Sequence, residues 1–259
     1  MNPAHFNTPG TQLLSHGDPS PVEVANADST HPVLLVCEHA GQAIPARLGD
    51  LGISTEALDS HIGWDIGAEA VTRRIAHILG APAVLQRYSR LVIDCNRPTG
   101  APDSIPEISD GISIPGNSLL DEQSRNARVQ EIFDPFQDVV SRYLSSPSCC
   151  ATFSVHSFTR SMSGVRRPWD IGFLYRRDSC TSQLLKKFVN DARPELKIGM
   201  NQPYQIDDVS DWFVPNHGEA SGLSHSLIEI RNDHIETPEG QARWAEILAG
   251  AFDHLFKEK

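Results

Sequence analysis

The segment PVLLVC, residues 32–37, is a continuous apolar run of strand length. A run without polar alternation is typical of a strand that is buried on both faces of a sheet. Further strands are predicted at residues 83–85, 91–95, 151–155, 171–175 and 226–230. Helices are predicted between them, at 66–79 with Gly80 as C-cap, at 121–144 with a bend near Pro135, at 182–192 and at 238–256.

Strands and helices alternate along the chain, and this alternation predicts the fold class. We expect a three-layer α/β/α fold with a central, mostly parallel or mixed sheet, in one domain that spans residues 1–259. Residues 1–30 are polar and predict an irregular N-terminal arm. Residues 99–118 carry Pro, Gly, Asp and Ser without periodicity, which is typical of a long loop that acts as a lid or a mobile segment.

The composition restricts the partners of the chain. A formal net charge of −11 disfavours nucleic acid and anionic membranes, so an acidic small-molecule substrate would need a local basic pocket. The five cysteines form no CxxC spacing and no disulfide framework, so a reducing cytoplasm is expected. The first 30 residues lack the apolar core of a signal peptide, and no apolar run is long enough to span a bilayer. The oligomeric state is not indicated by the sequence.

Side chains with catalytic chemistry come where the predicted strands end. His39 follows the first strand, residues 94–97 (DCNR) end another, and His156 and Glu229 close two more. The reactive groups of α/β sheets gather at the carboxyl ends of strands. Metal-assisted amide hydrolysis needs imidazoles for the metal, an arginine for a substrate carboxylate and a carboxylate to move protons. The pattern therefore predicts a metallohydrolase.

His39 and His156 are the first candidates for metal ligands, because neutral imidazole is a common ligand of zinc. Each could equally be a hydrogen-bonded histidine that closes a strand. A catalytic zinc usually takes three protein ligands. The candidates for the third ligand are Asp65, His61, Gln42 and Glu38. We favour Asp65, although its place at the start of a predicted helix is also typical of an N-cap residue.

Two further segments offer substrate and proton chemistry. Asn96 and Arg97 could hold a substrate carboxylate, and the alternative for Arg97 is a salt bridge to a nearby acid such as Asp94. Glu229 stands between apolar residues, and a buried glutamate is costly unless it has a partner or a function. Its functional interpretation is a general base, and its structural one is an ion pair with Arg231, two residues further on.

Other basic residues are weaker candidates. His217 precedes Gly218, which allows a close backbone approach, so His217 could contact the substrate or stabilise an oxyanion. A cluster of arginines predicts either a solvated loop or a basic rim that attracts an anionic substrate. Its members are Arg160, Arg166, Arg167, Arg176 and Arg177.

Five motifs in this order resemble the N-formylglutamate amidohydrolase family from about residue 33 to residue 233. They are VCEHAGQAIP (36–45), HIGWDIGA (61–68), YSRLVIDCNRP (88–98), VHSF (155–158) and HSLIEIRNDHI (225–235). The family in turn resembles the zinc carboxypeptidases. The resemblance implies a zinc-exopeptidase-like version of the fold and a zinc ion, or another divalent metal, as cofactor.

The resemblance also implies roles for single residues. His39 and His156 would bind the metal, Glu229 would act as the base, and Arg97 with Asn96 would hold the α-carboxylate of the substrate. Arg90 lies in the same motif as Arg97 and is a further candidate for substrate binding. A second arginine, either Arg231 or one from residues 160–177, would hold a second carboxylate. The implied reaction is hydrolysis of N-formyl-L-glutamate to formate and glutamate.

One position departs from the pattern of the carboxypeptidases. They carry a glutamate ligand three residues after the first zinc histidine, where this chain has Gln42, and an amide is a poor zinc ligand. Two alternatives therefore stay open beside the formylglutamate reaction. One is a deacylase or carboxypeptidase-like hydrolase that acts on another N-acyl amino acid. The other is a non-catalytic binder of small dicarboxylates with a degenerate metal site.

Overall fold

A mixed seven-stranded sheet forms the centre of the protein in a computed structural model that describes residues 12–256. Numbered in chain order, its strands are β1 (Val22–Ala25), β2 (Val33–Cys37), β3 (Ala83–Gln86), β6 (Ala151–Phe158), β9 (Ile171–Leu174), β10 (Ile198–Met200) and β11 (Ser224–Arg231). Two separate hairpins are formed by β4 (Ile108–Ser109) with β5 (Ile112–Ser113) and by β7 (Ser161–Met162) with β8 (Val165–Arg166). The sheet has the order β1-β3-β2-β6-β11-β9-β10. Its β1–β3 and β11–β9 pairs are antiparallel, and its other pairs are parallel.

Helices cover both faces of this sheet. They are α1 (Thr55–Asp59), α2 (Ala68–Leu79), α3 (Glu122–Arg128), α4 (Asp134–Leu144), α5 (Ser179–Ala192) and α6 (Pro238–His254). Alternate side chains of β2 enter two different cores. Val33 and Leu35 pack in the core under α2, α5 and α6, whereas Leu34 and Val36 pack in the core under α4. The predicted α/β/α class with a mostly parallel, mixed sheet is confirmed.

The predicted strand at residues 91–95 is wrong, although its apolar side chains are fully buried. Side chains, and not a neighbouring strand, satisfy two of the backbone carbonyls of this segment. Asn117 donates a hydrogen bond to the carbonyl of Leu91 at 2.8 Å. The buried guanidinium of Arg128 donates to the carbonyl of Val92, also at 2.8 Å. Because side chains satisfy these two carbonyls, the segment is buried in the core without pairing with a neighbouring strand.

The irregular arm predicted for residues 1–30 is wrong in part, because residues 22–25 form the edge strand β1. Val22 and Val24 pack against the core under α4, while Glu23 faces outward and pairs with Arg73 at 2.7 Å. This alternation holds for only four residues, which is too short to stand out in a polar segment. Residues 1–11 lie outside the described residues.

The predicted helix at 121–144 is confirmed, and its regular hydrogen bonding is interrupted close to Pro135. A π-helical turn, Val129–Phe133, joins α3 to α4, and its last hydrogen bond runs from the amide of Asp134 to the carbonyl of Val129. Proline has no N–H and cannot continue the ordinary helical ladder, so the irregular turn comes directly before it. Gly80, in the left-handed conformation with φ of 66°, ends α2 as predicted.

No helix in residues 12–256 has both the length and the apolar character needed to cross a membrane. The five cysteines are free thiols, two of them fully buried. The cytoplasmic location and the assignment of the whole chain to one domain stay predictions.

Candidate active site

Three side chains lie level with one another at the carboxyl edge of the sheet. Glu229 of β11 is in register with His156 of β6. The register of β2 with β6 places Glu38, the residue after β2, level with His156 as well. Level residues on parallel strands point to the same face. They form a buried polar row on the face covered by α4, beside a cavity of about 600 Å³.

His39, Asp65 and His156 bring their ligand atoms together in this cavity. The Nδ1 atom of His156 lies 3.0 Å from Nδ1 of His39 and 2.9 Å from Oδ2 of Asp65. The Nδ1 atom of His39 lies 3.4 Å from the same oxygen. Ligand bonds of about 2 Å at tetrahedral angles place neighbouring ligand atoms about 3.3 Å apart. The spacing of the three buried groups therefore fits a divalent metal.

A carboxylate orients each of the two imidazoles. Nε2 of His39 donates to Asp94 at 2.7 Å, and Nε2 of His156 faces Oε2 of Glu38 at 3.1 Å. Because ionised carboxylates only accept hydrogen bonds, Asp94 holds the proton of His39 on Nε2 and turns its Nδ1 lone pair towards His156. Burial opposes the protonation of His156, but Asp65 and Glu38 outweigh burial and raise the pKa of His156 well above its usual range. A proton on Nδ1 of His156 relieves the repulsion between the two Nδ1 lone pairs at 3.0 Å and also contacts Asp65, and a divalent cation would take the place of this proton. This arrangement supports a metal at the group.

Asp65 does not cap helix α2. The N-cap of that helix is Gly67, which has no side chain for capping. The Oδ2 atom of Asp65 instead accepts the backbone N–H of Ser157 at 3.0 Å. Burial opposes the ionisation of Asp65, but His39 and His156 outweigh burial and hold the pKa of this carboxyl far below its usual range. The group is thus an anion in position to bind a cation.

Arg90 connects the two acids of this site. Its guanidinium donates to Asp94 at 2.7 and 3.1 Å and to Asp65 at 3.2 Å. Burial opposes the ionisation of Asp94, and the charge of Arg90 overcomes it and keeps the pKa of Asp94 well below normal. Arg90 lines the cavity as expected of a substrate-binding residue, but its hydrogen bonds hold the acid that orients His39.

Glu229 faces the same cavity with one buried carboxylate oxygen, Oε2, that has no hydrogen-bond partner among the described residues. Burial raises the pKa of Glu229 to about 8, and the charge of His156 opposes this rise. A cation in the neighbouring group would stabilise the ionised form and lower the pKa again. Glu229 is therefore placed to gain and lose a proton near neutral pH.

A loop wall closes one side of the cavity. It consists of Asn96, Arg97, Asp103, Tyr204 and Asp211. Asn96 donates to Asp211 at 2.8 Å and accepts the backbone N–H of Phe213 at 2.8 Å, so its amide joins two loops. Arg97 donates to Asp103 at 2.9 Å. The side chain of Asp103 is 59% exposed, so a substrate carboxylate could take its place.

The loop at 99–118 supplies part of this wall. Its residues Ile105, Ile114 and Asn117 are fully buried, and the hairpin of β4 and β5 lies between them. Asp103 and Ile108 line the cavity. The loop is thus anchored on both sides of the stretch that faces the cavity.

Two of the predicted catalytic residues do not line the cavity. His217 is buried behind the loop wall, where it donates to Oε1 of Gln137 at 2.7 Å, and burial lowers its pKa to about 4. Arg231 pairs with Asp170 at 3.0 Å and with Asp233 at 2.7 Å. Arg231 is therefore not the partner of Glu229, and its charge is already neutralised.

Two alternatives for the third metal ligand also lie apart from the histidines. Gln42 donates to the carbonyl of Leu58 and to Asp59, both at 3.2 Å. His61 lines the cavity but pairs with Asp110 at 3.2 Å. Asp65 is the acid that the fold brings to His39 and His156. The glutamine that departs from the carboxypeptidase pattern is therefore not part of the group.

Tyr204 and Asp211 line the cavity but are not predicted from the sequence. Both lie in the segment 201–213, where the sequence shows neither helical nor strand periodicity. Tyr204 lines the cavity and accepts a hydrogen bond from Arg167 at 2.9 Å. No local signal predicts such contacts, because they join residues that are far apart in the chain.

The sheet and the polar cavity at its carboxyl edge define the general class as an α/β enzyme. The pattern that describes the N-formylglutamate amidohydrolase family matches residues 31–236. The chain belongs to this family and is an amidohydrolase. No curated protein matches it significantly.

Two solved structures are similar to the chain over nearly their whole length. A gene product of Agrobacterium tumefaciens is 35% identical with a TM-score of 0.90, and the match covers 95% of this chain and 99% of that one. The N-formylglutamate amidohydrolase of Ralstonia eutropha JMP134 is 18% identical with a TM-score of 0.60, and the match covers 90% of this chain and 95% of that one. The second likeness shows a shared fold.

Proposed function

We propose that this enzyme hydrolyses the amide bond of an N-acyl amino acid with the help of a divalent metal. N-formyl-L-glutamate is the first substrate to test, with formate and glutamate as products. The observation that supports the proposal is the convergence of His39, Asp65 and His156 in a cavity that also contains the carboxyl of Glu229. The partner is accordingly a small acidic molecule.

His39, Asp65 and His156 would hold the metal, with zinc as the first candidate. A metal there would polarise the carbonyl of the scissile amide and acidify a water molecule. Asp94 accepts the Nε2 proton of His39, and Oε2 of Glu38 faces Nε2 of His156, so both imidazoles would offer Nδ1 as the ligand atom. Arg90 keeps Asp94 ionised and also donates a hydrogen bond to Asp65.

Glu229 would move the protons of the reaction. Its ionised form accepts a proton from the water that attacks the amide carbon, and the resulting acid donates this proton to the departing amine. The free Oε2 atom is available for both steps, because no group among the described residues binds it. Neutral amine leaves more readily than its anion, so the returned proton lets the C–N bond break.

Arg97 would bind the α-carboxylate of the substrate. Its guanidinium lines the cavity and now holds Asp103, a largely exposed acid that a substrate carboxylate can replace at little cost. Asn96 contributes indirectly, because its side chain is engaged with the loop at 211–213. It positions Arg97, whose own guanidinium also donates to the carbonyl of Asn96.

A second candidate function is hydrolysis of a different N-acyl amino acid, as a deacylase or a carboxypeptidase-like enzyme. The cavity of about 600 Å³ favours keeping this candidate, because it leaves room for an acyl group larger than formyl. The non-catalytic dicarboxylate binder has less support. This candidate was considered because Gln42 stands where the carboxypeptidases have a glutamate ligand. Gln42 bonds Leu58 and Asp59 instead and lies away from His39, Asp65 and His156.

The deciding experiment is formate release from N-formyl-L-glutamate by chelator-treated protein, with and without added zinc. Release that depends on zinc supports both the reaction and the metal. Release without any metal overturns the metal part of the proposal. No release in either condition removes formylglutamate as the substrate, and a panel of N-acetyl and longer N-acyl amino acids then tests the second candidate.

A further inference from the structure

Arg167 is a cation beside the cavity without an acidic partner. Within residues 12–256, no carboxylate lies within ion-pair distance of its guanidinium. The arginines around it differ in this respect: Arg90, Arg97, Arg160, Arg176, Arg177 and Arg231 each pair with Asp or Glu. A partly buried guanidinium that lacks a counter-charge is costly, which makes it a good site for an anionic ligand.

The hydrogen bonds of Arg167 place its guanidinium against the cavity. It donates to the hydroxyl of Tyr204 at 2.9 Å, to Oγ1 of Thr159 at 3.4 Å and to the sulfur of Met162 at 2.8 Å. All three partners line the cavity. A thioether is a weak acceptor, so a carboxylate would replace it with a gain in energy. The positive charge of Arg167 also acts to lower the pKa of the Glu229 carboxyl, which lines the same cavity.

The surrounding structure holds Arg167 in this place. The backbone N–H of Arg167 bonds the carbonyl of Arg160 at 2.9 Å and closes the hairpin of β7 and β8. The ring of Tyr204 lies 4.8 Å from the guanidinium carbon, in a cation–π contact. The tyrosine is 40% exposed, so its ring contacts both the arginine and the solvent-filled cavity.

We propose that Arg167, held by Tyr204, binds a second carboxylate of the substrate. This inference rests on the proposed function, in which Arg97 binds the α-carboxylate. The two arginines come from different loops, at 97 and at 167. Arg97 lines the cavity, and so do the three hydrogen-bond partners of Arg167. The enzyme is thereby specific for N-acyl amino acids that carry a side-chain carboxylate, and it discriminates against the corresponding amides.

The test compares N-formyl-L-glutamate with N-formyl-L-glutamine, which has almost the same shape without the second charge. Arg167→Gln should lower kcat/KM for the glutamate substrate by about 10- to 100-fold, mainly through KM, and leave the glutamine substrate nearly unchanged. Arg166→Gln is the matched control, because it removes the same charge from an exposed neighbour. Tyr204→Phe should give a smaller loss in the same direction. Equal losses on both substrates, or no loss, would overturn the assignment.

A binding measurement separates this inference from the proposed reaction. Calorimetry with L-glutamate and L-glutamine should show weaker binding of glutamate alone in Arg167→Gln. If the unaltered enzyme hydrolyses neither formyl substrate but shows this difference, the reaction is wrong and the carboxylate site stands. If hydrolysis proceeds and the preference for glutamate survives in Arg167→Gln, the carboxylate site is wrong and the reaction stands. Absence of glutamate binding by the unaltered enzyme overturns the carboxylate site as well.

Discussion

The floor and the loop wall of the cavity are built in different ways. The floor consists of His39, Asp65, His156 and Glu229, and the wall is the set of five loop residues around Arg97. Three of these residues lie on or directly after neighbouring strands, so the register of the sheet sets the spacing of His39, His156 and Glu229. Asp65 comes from the loop before α2 and is held there by the backbone N–H of Ser157. Wall residues come from segments without regular structure, which single side-chain hydrogen bonds hold together.

This difference assigns different tasks to the two regions. The floor is buried and braced by Asp94, Glu38 and Arg90, which is what the proposed metal binding and proton transfer require. Arg97 and Asp103 of the wall are more exposed, and under the proposed function a substrate carboxylate would replace Asp103 in their ion pair. Changes in the floor should therefore lower kcat or metal affinity, whereas changes in the wall should mainly raise KM.

The largest effect is expected at Glu229. Glu229→Gln removes the proton acceptor while keeping the shape of the side chain, so kcat should fall by about 10²- to 10⁴-fold. The amount of bound metal, measured by elemental analysis, should not change, because Glu229 is not one of the three ligands. A variant that keeps its kcat would exclude Glu229 as the base.

Asp94→Asn should affect the floor through His39. The amide cannot hold the Nε2 proton as strongly, so metal affinity should fall by about 10- to 100-fold in a competition titration with a chelator. Asp103→Asn is the matched control in the wall and should leave metal affinity unchanged. Equal affinities in the two variants would contradict the orienting role of Asp94.

Arg97→Ala should act on binding. Loss of a charge-assisted contact should raise KM for the N-acyl amino acid by about tenfold or more, with kcat changed much less. Initial-rate measurements over a wide range of substrate concentration separate the two constants. A normal KM would show that Arg97 does not bind the substrate carboxylate. A large fall in kcat with an unchanged KM would show that Arg97 acts in the chemical step instead.

The smallest effect is expected on the free energy of unfolding, through His217, which is buried behind the loop wall. The folded protein keeps His217 neutral with a pKa of about 4, whereas the unfolded chain protonates it near pH 6.5. The unfolded state therefore binds more protons below pH 6.5, and stability falls as the pH decreases towards 4. When the pH is lowered from 7.5 to 5, the protonation of this histidine in the unfolded chain should reduce the free energy of unfolding by about 2 kcal/mol.

Urea unfolding at the two pH values checks this prediction by comparison with His217→Gln. The variant should be less stable at pH 7.5, because the packing and the hydrogen bond to Gln137 change, but it should lose less stability on acidification. The difference between the two proteins isolates His217 from other groups that titrate. An identical pH dependence would show that His217 is not kept neutral by the fold.

Much of the cavity floor could be predicted, because its residues follow directly from apolar runs. The end of the run at 32–37 indicates His39, and the end of β6 indicates His156. The wall could not be predicted in the same way. The apolar run at 91–95 was assigned to a strand, but Asn117 and Arg128 satisfy its backbone, and no local pattern reports hydrogen bonds from such distant side chains.

By itself, the sequence determined the α/β class, the family and the residue types at the ends of the strands. Hydrophobic periodicity is local and encodes these features in short stretches of chain. Only the tertiary structure decided which groups meet. It brought Asp65 and not Gln42 to the histidines, paired Arg231 with Asp170 and left Arg167 without an acid among residues 12–256. Contacts of this kind depend on strand register and on loop packing, which join positions that the chain keeps far apart.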